Sequence, residues 1–332
     1  MNVMQSTHHR RACLRWLARG GMAAVAASAA SVLPGCSRLY AEPLRIGAQP
    51  WPGYEFLYMA RELKLLDATQ VHLIETPSAP ANLRGLATRS IDGACLTLDE
   101  VLTARANGVD LTLVAVLDES RGADALIAQA AYTSMAQLRG KTIGVEQTAV
   151  GAVLLNAALE SAGLTARDVQ TRFIAVDNHV SAFQSGQVDA VVTYEPHKSK
   201  LLASQGHLVF SSATTSGLIL DTVAIRTELL TQKQQQIKAM LHAHFQAYQQ
   251  WRTNPEQHNA LLGSRLDLEP SAVGQIFQEI YFPSAQENRQ WMTGTPAKLH
   301  VTAEKLVAIM LRQGLLSEAP SLDRLFSSDF LP

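Results

Sequence analysis

The sequence predicts an α/β fold of two lobes, each built on its own doubly wound sheet, with a helical C-terminal segment. Three observations lead to this prediction. The chain has 332 residues, which is more than one hydrophobic core usually organises. Short apolar runs alternate with helical patterns in two successive series, as in parallel sheets covered by helices. Beyond Thr227 the long helical patterns dominate.

The N-terminal region reads as an export signal. No acidic residue precedes Glu42, residues 1–21 are basic, and residues 22–33 are rich in Ala, Val and Ser. A basic region, a short apolar run and small residues at a cleavage site predict a secretory signal peptide over residues 1–35. The apolar run is too short for a permanent membrane span. Residues 36–43 are then a linker.

The segment Leu33–Cys36 (LPGC) resembles a bacterial lipobox, which implies that Cys36 carries lipid. Ordinary cleavage near Ala41 is the alternative. Arg10 and Arg11 also resemble a twin-arginine signal, so both export routes stay open.

The first series of elements predicts the first lobe. An amphipathic pattern predicts the helix Glu55–Leu66, with Leu57 and Leu63 towards a core. The predicted strands of this series are Leu44–Ala48, Val71–Glu75, Gly93–Thr97 and Leu111–Leu117, and its other helices are Ala79–Thr88 and Asp99–Ala106.

A second series predicts the other lobe and the helical tail. The predicted strands are Lys141–Glu146, Arg172–Val176, Val188–Thr193, His207–Ser211 and Thr222–Arg226, with helices at Val150–Ala162, Val180–Ser185 and from Pro196. The tail helices are Leu229–Arg252, Pro255–Leu262, Pro270–Ile280 and Thr302–Gln313. We place crossings between lobes near Asp124–Gln129 and Asp221–Thr227. Lobe 1 is then 44–128 with 222–332, and lobe 2 is 129–221.

Composition and motifs argue against several functions. The net charge of −1 without a long basic run disfavours nucleic acid as a partner. No Gly-x-Ser-x-Gly, His-Glu-x-x-His, Walker or Rossmann motif is present. Of three cysteines, only Cys95 follows the leader and lipobox, and no Cys/His spacing resembles a zinc site. We expect a monomeric non-enzyme without cofactor or metal, and Cys95 as a small core residue.

Four segments carry a resemblance to one family. They are 47–54 (GAQPWPGY), 93–97 (GACLT), 138–145 (LRGKTIGV) and 186–192 (GQVDAVV). In this order and spacing they resemble the nitrate/sulfonate/taurine group of periplasmic binding proteins, which includes binders of thiamine-pyrimidine precursors. The likeness extends over roughly residues 44–325.

This resemblance implies a type II periplasmic-binding fold with a ligand cleft between two lobes that close by a hinge. It also implies delivery of a small molecule to an ABC permease and its ATPase. The expected location is the periplasm or cell exterior, with lipid on Cys36 as the membrane anchor.

Ligands of open α/β sheets lie beyond the carboxyl ends of strands. Strand ends and crossings therefore predict these ligand contacts: Trp51, Tyr54, Thr97, Asp99, Glu100, Asp118, Ser120, Asp124, Glu146, Thr148, Gly151, His179, Glu195 and Asp221.

Several of these residues also have a purely structural interpretation. Thr97 and Glu100 form a capping-box pattern, and Glu195 precedes a proline that can begin a helix. His179 can simply begin a helix. The crossing aspartates can be hydrogen-bonding groups of the hinge.

The predicted site is acidic and contains no Lys or Arg. Because a carboxylate beside a desolvated anion is costly, we expect a cationic or nitrogen-rich ligand, such as an amine, an amidine or a pyrimidine, stacked on Trp51 or Tyr54. The alternatives are a nitrate, sulfonate or taurine binder, a two-lobed sensor, and a pyrimidine synthase that shares the fold.

Overall fold

The computed structural model describes residues 42–215 and 217–332. The predicted signal peptide, the lipid attachment at Cys36 and most of the predicted linker lie outside these ranges. Within them, no helix combines the length and apolar character that a membrane crossing requires.

Strands and helices alternate through the first two-thirds of the chain, and helices dominate the rest. The strands of the described ranges are β1 Leu44–Ala48, β2 Val71–Glu75, β3 Gly93–Thr97, β4 Leu111–Ser120, β5 Asp124–Ala128, β6 Thr142–Val145, β7 Gln170–Phe173, β8 Ala190–Tyr194, β9 His207–Ser211, β10 Leu220–Arg226 and β11 Ile280–Tyr281. The α-helices are α1 Glu55–Glu62, α2 Ala79–Ala87, α3 Leu98–Ala106, α4 Ala149–Ser161, α5 His179–Gln184, α6 His197–Ala203, α7 Gln234–Thr253, α8 Pro255–Leu266, α9 Pro270–Phe277, α10 Ala285–Met292 and α11 Lys298–Arg312.

The strands form two sheets. The first has the order β11-β4-β10-β3-β1-β2 and the second β7-β6-β8-β5-β9. In the first sheet β1 is parallel to β2 and β3, whereas β10 runs antiparallel between β3 and β4. In the second, β6 is parallel to β7 and β8, whereas β5 runs antiparallel between β8 and β9. In the first sheet β10 and β11 therefore run against the other strands, and in the second sheet β5 does so.

The helical tail packs on the first sheet. Buried residues of α7, α8, α9 and α11 share one hydrophobic core with β1, β3, β4 and β10. Two smaller cores lie on the second sheet. We call the first sheet with α1–α3 and α7–α11 the first half, and the second sheet with α4–α6 the second half.

The prediction places the crossing at Asp124–Gln129 and the lobe boundary after residue 128. This is wrong, because in the structure both lie one strand earlier, before β5. Asp124 pairs with Tyr194, and Ala128 pairs with Ala190, so β5 belongs to the second sheet. Only residues 121–123 separate β4 from β5, and Gly122 makes the bend at φ 138°. The sequence hides this because β4 is longer than its apolar run and ends in the polar residues of positions 118–120.

The return crossing also differs from the prediction. The strand β10 begins at Leu220, so Asp221 lies inside the first sheet instead of at its margin. The helix α10 was not predicted, because its buried Asn288 and Met292 are surrounded by polar residues.

Candidate functional site

A small cleft lies between the two halves. Its main cavity has a volume of about 30 Å³ and is lined by Gln49, Trp51, Ala79, Thr97, Glu100, Asp124, Glu146, Val150, Tyr194 and Asp221. An adjoining cavity of about 10 Å³ is lined by Asp124, Glu146, Thr148, Val150, Gly151, Leu154, His179, Val192, Thr193 and Tyr194. Both sheets contribute side chains to this enclosed space, which we call the cleft.

Larger cavities lie elsewhere, about 420 Å³ between α4 and α11 and about 400 Å³ beside the start of α4. The cleft remains the better candidate, because several buried carboxyl groups converge on it.

Two aromatic side chains meet across the cleft. Trp51 follows β1 and is only 4% exposed. Its ring lies 5.9 Å from that of Tyr194, at the end of β8, in an edge-on arrangement. The Trp51 indole Nε1 donates a hydrogen bond to Asp118 Oδ2 at 3.1 Å. The indole is therefore held by the first half and faces the second.

The structure places Asp118 and Asp221 directly opposite each other on β4 and β10. The Tyr54 hydroxyl donates a hydrogen bond to Asp221 Oδ1. A side chain at Gly53 would place its Cβ only 1.7 Å from Asp118 Oδ2. Glycine is therefore needed there to let the Trp51 loop reach the aspartate.

Burial shifts the acidity of the carboxyl groups. It raises the pKa of Asp124 to about 7, helped by the charge of Asp99, although a hydrogen bond from Ser120 opposes it. Burial likewise raises the pKa of Glu146 to about 7. Burial also raises the pKa values of Glu100, Asp118 and Asp221, and neighbouring carboxylates add to each shift. Burial therefore favours the protonated form of these acids near neutral pH.

The carboxyl groups are not arranged around a metal ion. Across residues 42–215 and 217–332, no group of three or more His, Cys, Asp or Glu side chains has the geometry to hold one.

The helix that begins beside β3 shows that a residue can cap a helix and line the cleft at once. Thr97 and Glu100 form the predicted capping box of α3, with Glu100 Oε2 accepting from Thr97 N at 3.0 Å. Both residues also line the cleft. Asp99 lies between these two residues in the first turn of α3. It is buried and its Oδ2 has no hydrogen-bond partner, but it does not line the cleft.

In the second half, the start of α4 and that of α5 reach the adjoining cavity. Thr148 caps α4 by accepting from Gly151 N. Both ring nitrogens of His179 are engaged, with Thr193 Oγ1 and Ile174 O, each at 3.1 Å. Burial lowers the pKa of His179 to about 4, so the ring is neutral.

Five predicted residues do not line the cleft: Tyr54, Asp99, Asp118, Ser120 and Glu195. Ser120 contacts Ser212 Oγ at 2.8 Å and accepts from Asp124 N, so it holds the crossing together. Glu195 accepts from Ser199 N and Oγ in α6 and lies 3.6 Å from the Lys198 ammonium. The strand-end positions of Ser120 and Glu195 suggested ligand contact, but their side chains complete turns instead.

The predicted contacts do not include Gln49 or Tyr194, which both line the cleft. Both stand at the end of a strand, so the rule that selected Trp51 and Glu195 applied to them equally. Gln49 Oε1 accepts from Asn82 Nδ2 at 2.7 Å, which orients its amide. Tyr194 and Glu195 are neighbours in the chain, and only the tertiary structure shows which of them faces the cleft.

Ion pairs link the halves outside the cleft. Lys198 of the second half is buried and pairs with Glu279 of the first. Two exposed pairs also join the halves, Lys200–Asp267 at 2.8 Å and Glu160–Arg312 at 3.4 Å. The halves are therefore in a closed arrangement.

Comparison with known proteins agrees with this architecture. The model of the NMT1-like family matches residues 37–263, more than half of the chain. The chain is 28% identical to the putative aliphatic sulfonates-binding protein of Escherichia coli (strain K12) over 179 residues, 52% of this chain and 56% of that protein. The match therefore spans little more than half the length of this curated relative.

Two solved structures are similar in fold. The alkanesulfonate-binding protein SsuA from Xanthomonas axonopodis pv. citri, bound to MOPS, has a TM-score of 0.72 at 21% identity, covering 86% of this chain and 98% of that one. The desulfurization enzyme DSZB has a TM-score of 0.62 at 17% identity, covering 86% of this chain and 97% of that one. The predicted type II periplasmic-binding fold is thereby confirmed.

Proposed function

The chain belongs to the NMT1-like family, and from this premise we propose that it is the extracytoplasmic substrate-binding component of an ABC importer. It captures a small molecule in the cleft and presents it to a membrane permease with its ATPase. One observation carries the proposal: polar and aromatic side chains from both sheets converge on one cleft.

Closure follows from that placement. Trp51, Thr97 and Asp221 come from the first half, and Glu146 and Tyr194 come from the second. A ligand that contacts both halves binds the closed state more tightly than the open state, so it shifts the population towards closure. The two crossing segments between the sheets supply the hinge.

The lining favours a ligand that donates hydrogen bonds. Among the residues that the structure describes, neither Lys nor Arg lines the cleft, whereas Glu100, Asp124, Glu146 and Asp221 do. A cationic or nitrogen-rich ligand, such as an amine, an amidine or a pyrimidine, would satisfy these acceptors and could pack against Trp51.

The relatives, however, do not support a cationic preference, and they fit the anionic alternative better, since two of them are named as sulfonate-binding proteins. The anion has a physical basis in this cleft as well. A protonated carboxyl group donates a hydrogen bond, and burial raises the pKa of Asp124 and of Glu146 to about 7. A sulfonate would therefore bind while these groups hold their protons, and its oxygens would accept hydrogen bonds from them.

Catalysis is the less favoured function, although DSZB shows that an enzyme can have this fold. The thiol of Cys95 is fully buried, and burial raises its pKa well above the ordinary range. A thiol in that state is a poor nucleophile. A ligand sensor remains the second alternative, and binding to a purified permease would distinguish the importer from it.

The proposal also includes export and attachment to the membrane. A lipid on Cys36 would hold the monomer at the outer face of the membrane, next to its permease. Mass spectrometry of the protein from membranes tests this directly. An unmodified N-terminus near residue 41 would contradict the lipid anchor but would leave the binding function intact.

Ligand binding itself is tested by thermal-shift screening. One panel contains amines, amidines and aminopyrimidines, and a second contains nitrate and alkylsulfonates. A ligand at one hundred times its Kd adds about 2.7 kcal/mol of stability. The Trp51→Ala variant should lose this shift, because its indole lines the cleft. The Trp291→Ala variant changes an aromatic residue on α10, outside the cleft, and should keep it. Equal shifts in both variants would remove Trp51 from the site.

A further inference from the structure

We propose that Asp118 and Asp221 share one proton in the empty cleft and release it to solvent when the ligand binds, so that this pair determines which ligand charge the cleft accepts. The inference rests on the proposed function and adds to it a mechanism of specificity.

The first argument is the geometry of the pair. Asp118 and Asp221 are register partners on β4 and β10, 0% and 3% exposed. Asp118 Oδ2 accepts from Trp51 Nε1, and Asp221 Oδ1 accepts from the Tyr54 hydroxyl. Among the described residues, however, Asp118 Oδ1 meets no N–H or O–H donor. A proton carried by the pair itself would supply the donor that this buried oxygen lacks.

The second argument is the surroundings. The titratable groups that face the pair from the elements around it are acids or neutral donors: Tyr54 beside β1, Cys95 on β3, Glu100 on α3, Glu119 on β4 and Asp124 on β5. Lys198 lowers the pKa of Asp124 but is buried against Glu279. Two unscreened negative charges at this position would be costly in a dry interior.

The third argument is the connection of the pair to the ligand. Asp221 lines the cleft, whereas Asp118 lies behind it and holds Trp51 through the indole Nε1. A change in the charge of the pair therefore acts on the ligand directly at Asp221 and indirectly through the position of the Trp51 indole. Asp118 is in this sense a positioning residue.

The exchange balances in charge. In the empty cleft the pair carries one proton and a charge of −1. When a monocation binds, the shared O–H bond breaks, the proton passes to a buffer base, and the pair becomes −2 beside a ligand of +1. The total charge of the site stays at −1, so binding does not change the net charge that is buried. An anion would instead require the pair to keep its proton.

Calorimetric titration tests the exchange with two probes of similar size and opposite charge, acetamidinium and methanesulfonate. Heats measured at pH 7 in phosphate and in Tris give the number of protons exchanged. We expect acetamidinium to bind with release of about one proton, so that its affinity rises about tenfold per pH unit below pH 7. Methanesulfonate should bind at least tenfold more weakly.

The variants separate the pair from other acids. In Asp118→Asn the amide donates permanently to Asp221, so the part of the proton release and of the pH dependence that comes from the pair should disappear while binding persists, and only the part from Asp124 and Glu146 should remain. Asp221→Asn should behave in the same way. The exposed Asp323→Asn is the control and should retain both. Unchanged proton release in Asp118→Asn, or proton uptake with a tightly bound methanesulfonate, would overturn the proposal.

A measurement without ligand keeps the inference apart from the proposed function. The infrared difference spectrum of the empty wild-type protein against Asp118→Asn at pH 7 should contain a protonated-carboxyl band. Absence of that band refutes the shared proton, whatever binds. If the band is present and neither panel nor probe binds, the shared proton stands and the proposed function loses its support.

Discussion

The stability of the empty protein should fall as pH rises, and Asp124 is the clearest single contributor. Burial raises its pKa from 3.8 to about 7. Between those two values the folded protein holds a proton that the unfolded chain has lost. Folding is therefore coupled to proton uptake, and this share of the stability is complete below about pH 4 and lost as pH rises to 7.

The magnitude follows from the shift. Each unit of pH in that window costs about 1.4 kcal/mol, so the loss between pH 5 and pH 7 is roughly 2 to 3 kcal/mol from this one group. Glu146 acts in the same direction, because its pKa is also raised to about 7. A small domain has only about 5–15 kcal/mol in total, so the loss is easily measured.

Urea unfolding at pH 5 and at pH 7 measures it. Asp124→Asn keeps the shape of the side chain and its ability to accept from Ser120, but it cannot titrate. Its stability should therefore fall by roughly 2 to 3 kcal/mol less than that of the wild type over the same interval. The exposed Asp323→Asn should follow the wild type. If Asp124→Asn keeps the full pH dependence with an unchanged m-value, the carboxyl is ionised in the folded state and the reasoning is wrong.

Two further substitutions test the supports of the cleft. Gly53→Ala should cost about 1–3 kcal/mol by overpacking, and it should weaken the ligand-induced thermal shift, because the new Cβ would lie 1.7 Å from Asp118 Oδ2; a normal melting curve with full binding would contradict this. Arg265→Met removes the partner of buried Glu55, which Arg265 Nε contacts at 2.6 Å, and should cost about 3–5 kcal/mol in urea unfolding at pH 8. The loss should be smaller at pH 5, because burial already raises the pKa of Glu55 to about 7, and equal losses at both pH values would contradict that assignment.

The sequence predicted the elements that local pattern determines. β1, β2 and β3 have the predicted bounds, because each is a short apolar run between turn residues. The strand β5 was missed because its pairing with β8 joins residues about 70 positions apart, and no local pattern says which sheet such a strand enters. The same limit explains the wrong lobe boundary.

The site shows a similar division. A rule about strand ends finds the edge of a sheet, and Trp51 and Glu146, which it selected, line the cleft. It does not resolve one residue from the next, and so it selected Glu195 where the structure turns Tyr194 towards the cleft. Asp118 was expected at a strand end, but β4 continues to Ser120, and the aspartate contacts Trp51 from inside the sheet.

We inferred the charge of the ligand from the types of residue in the predicted site. The structure shows that this inference also requires the protonation state of each carboxyl group. Glu100, Asp124 and Asp221 do converge on the cleft, but burial raises their pKa values. An ionised carboxylate rejects an anion and binds a cation, whereas a protonated one donates to a sulfonate oxygen. The same residues can thus bind either ligand, but a cation requires them to release protons and an anion requires them to take up protons. Release on binding identifies a cation and uptake identifies an anion, so the sign of the proton exchange distinguishes the two where the residue list does not.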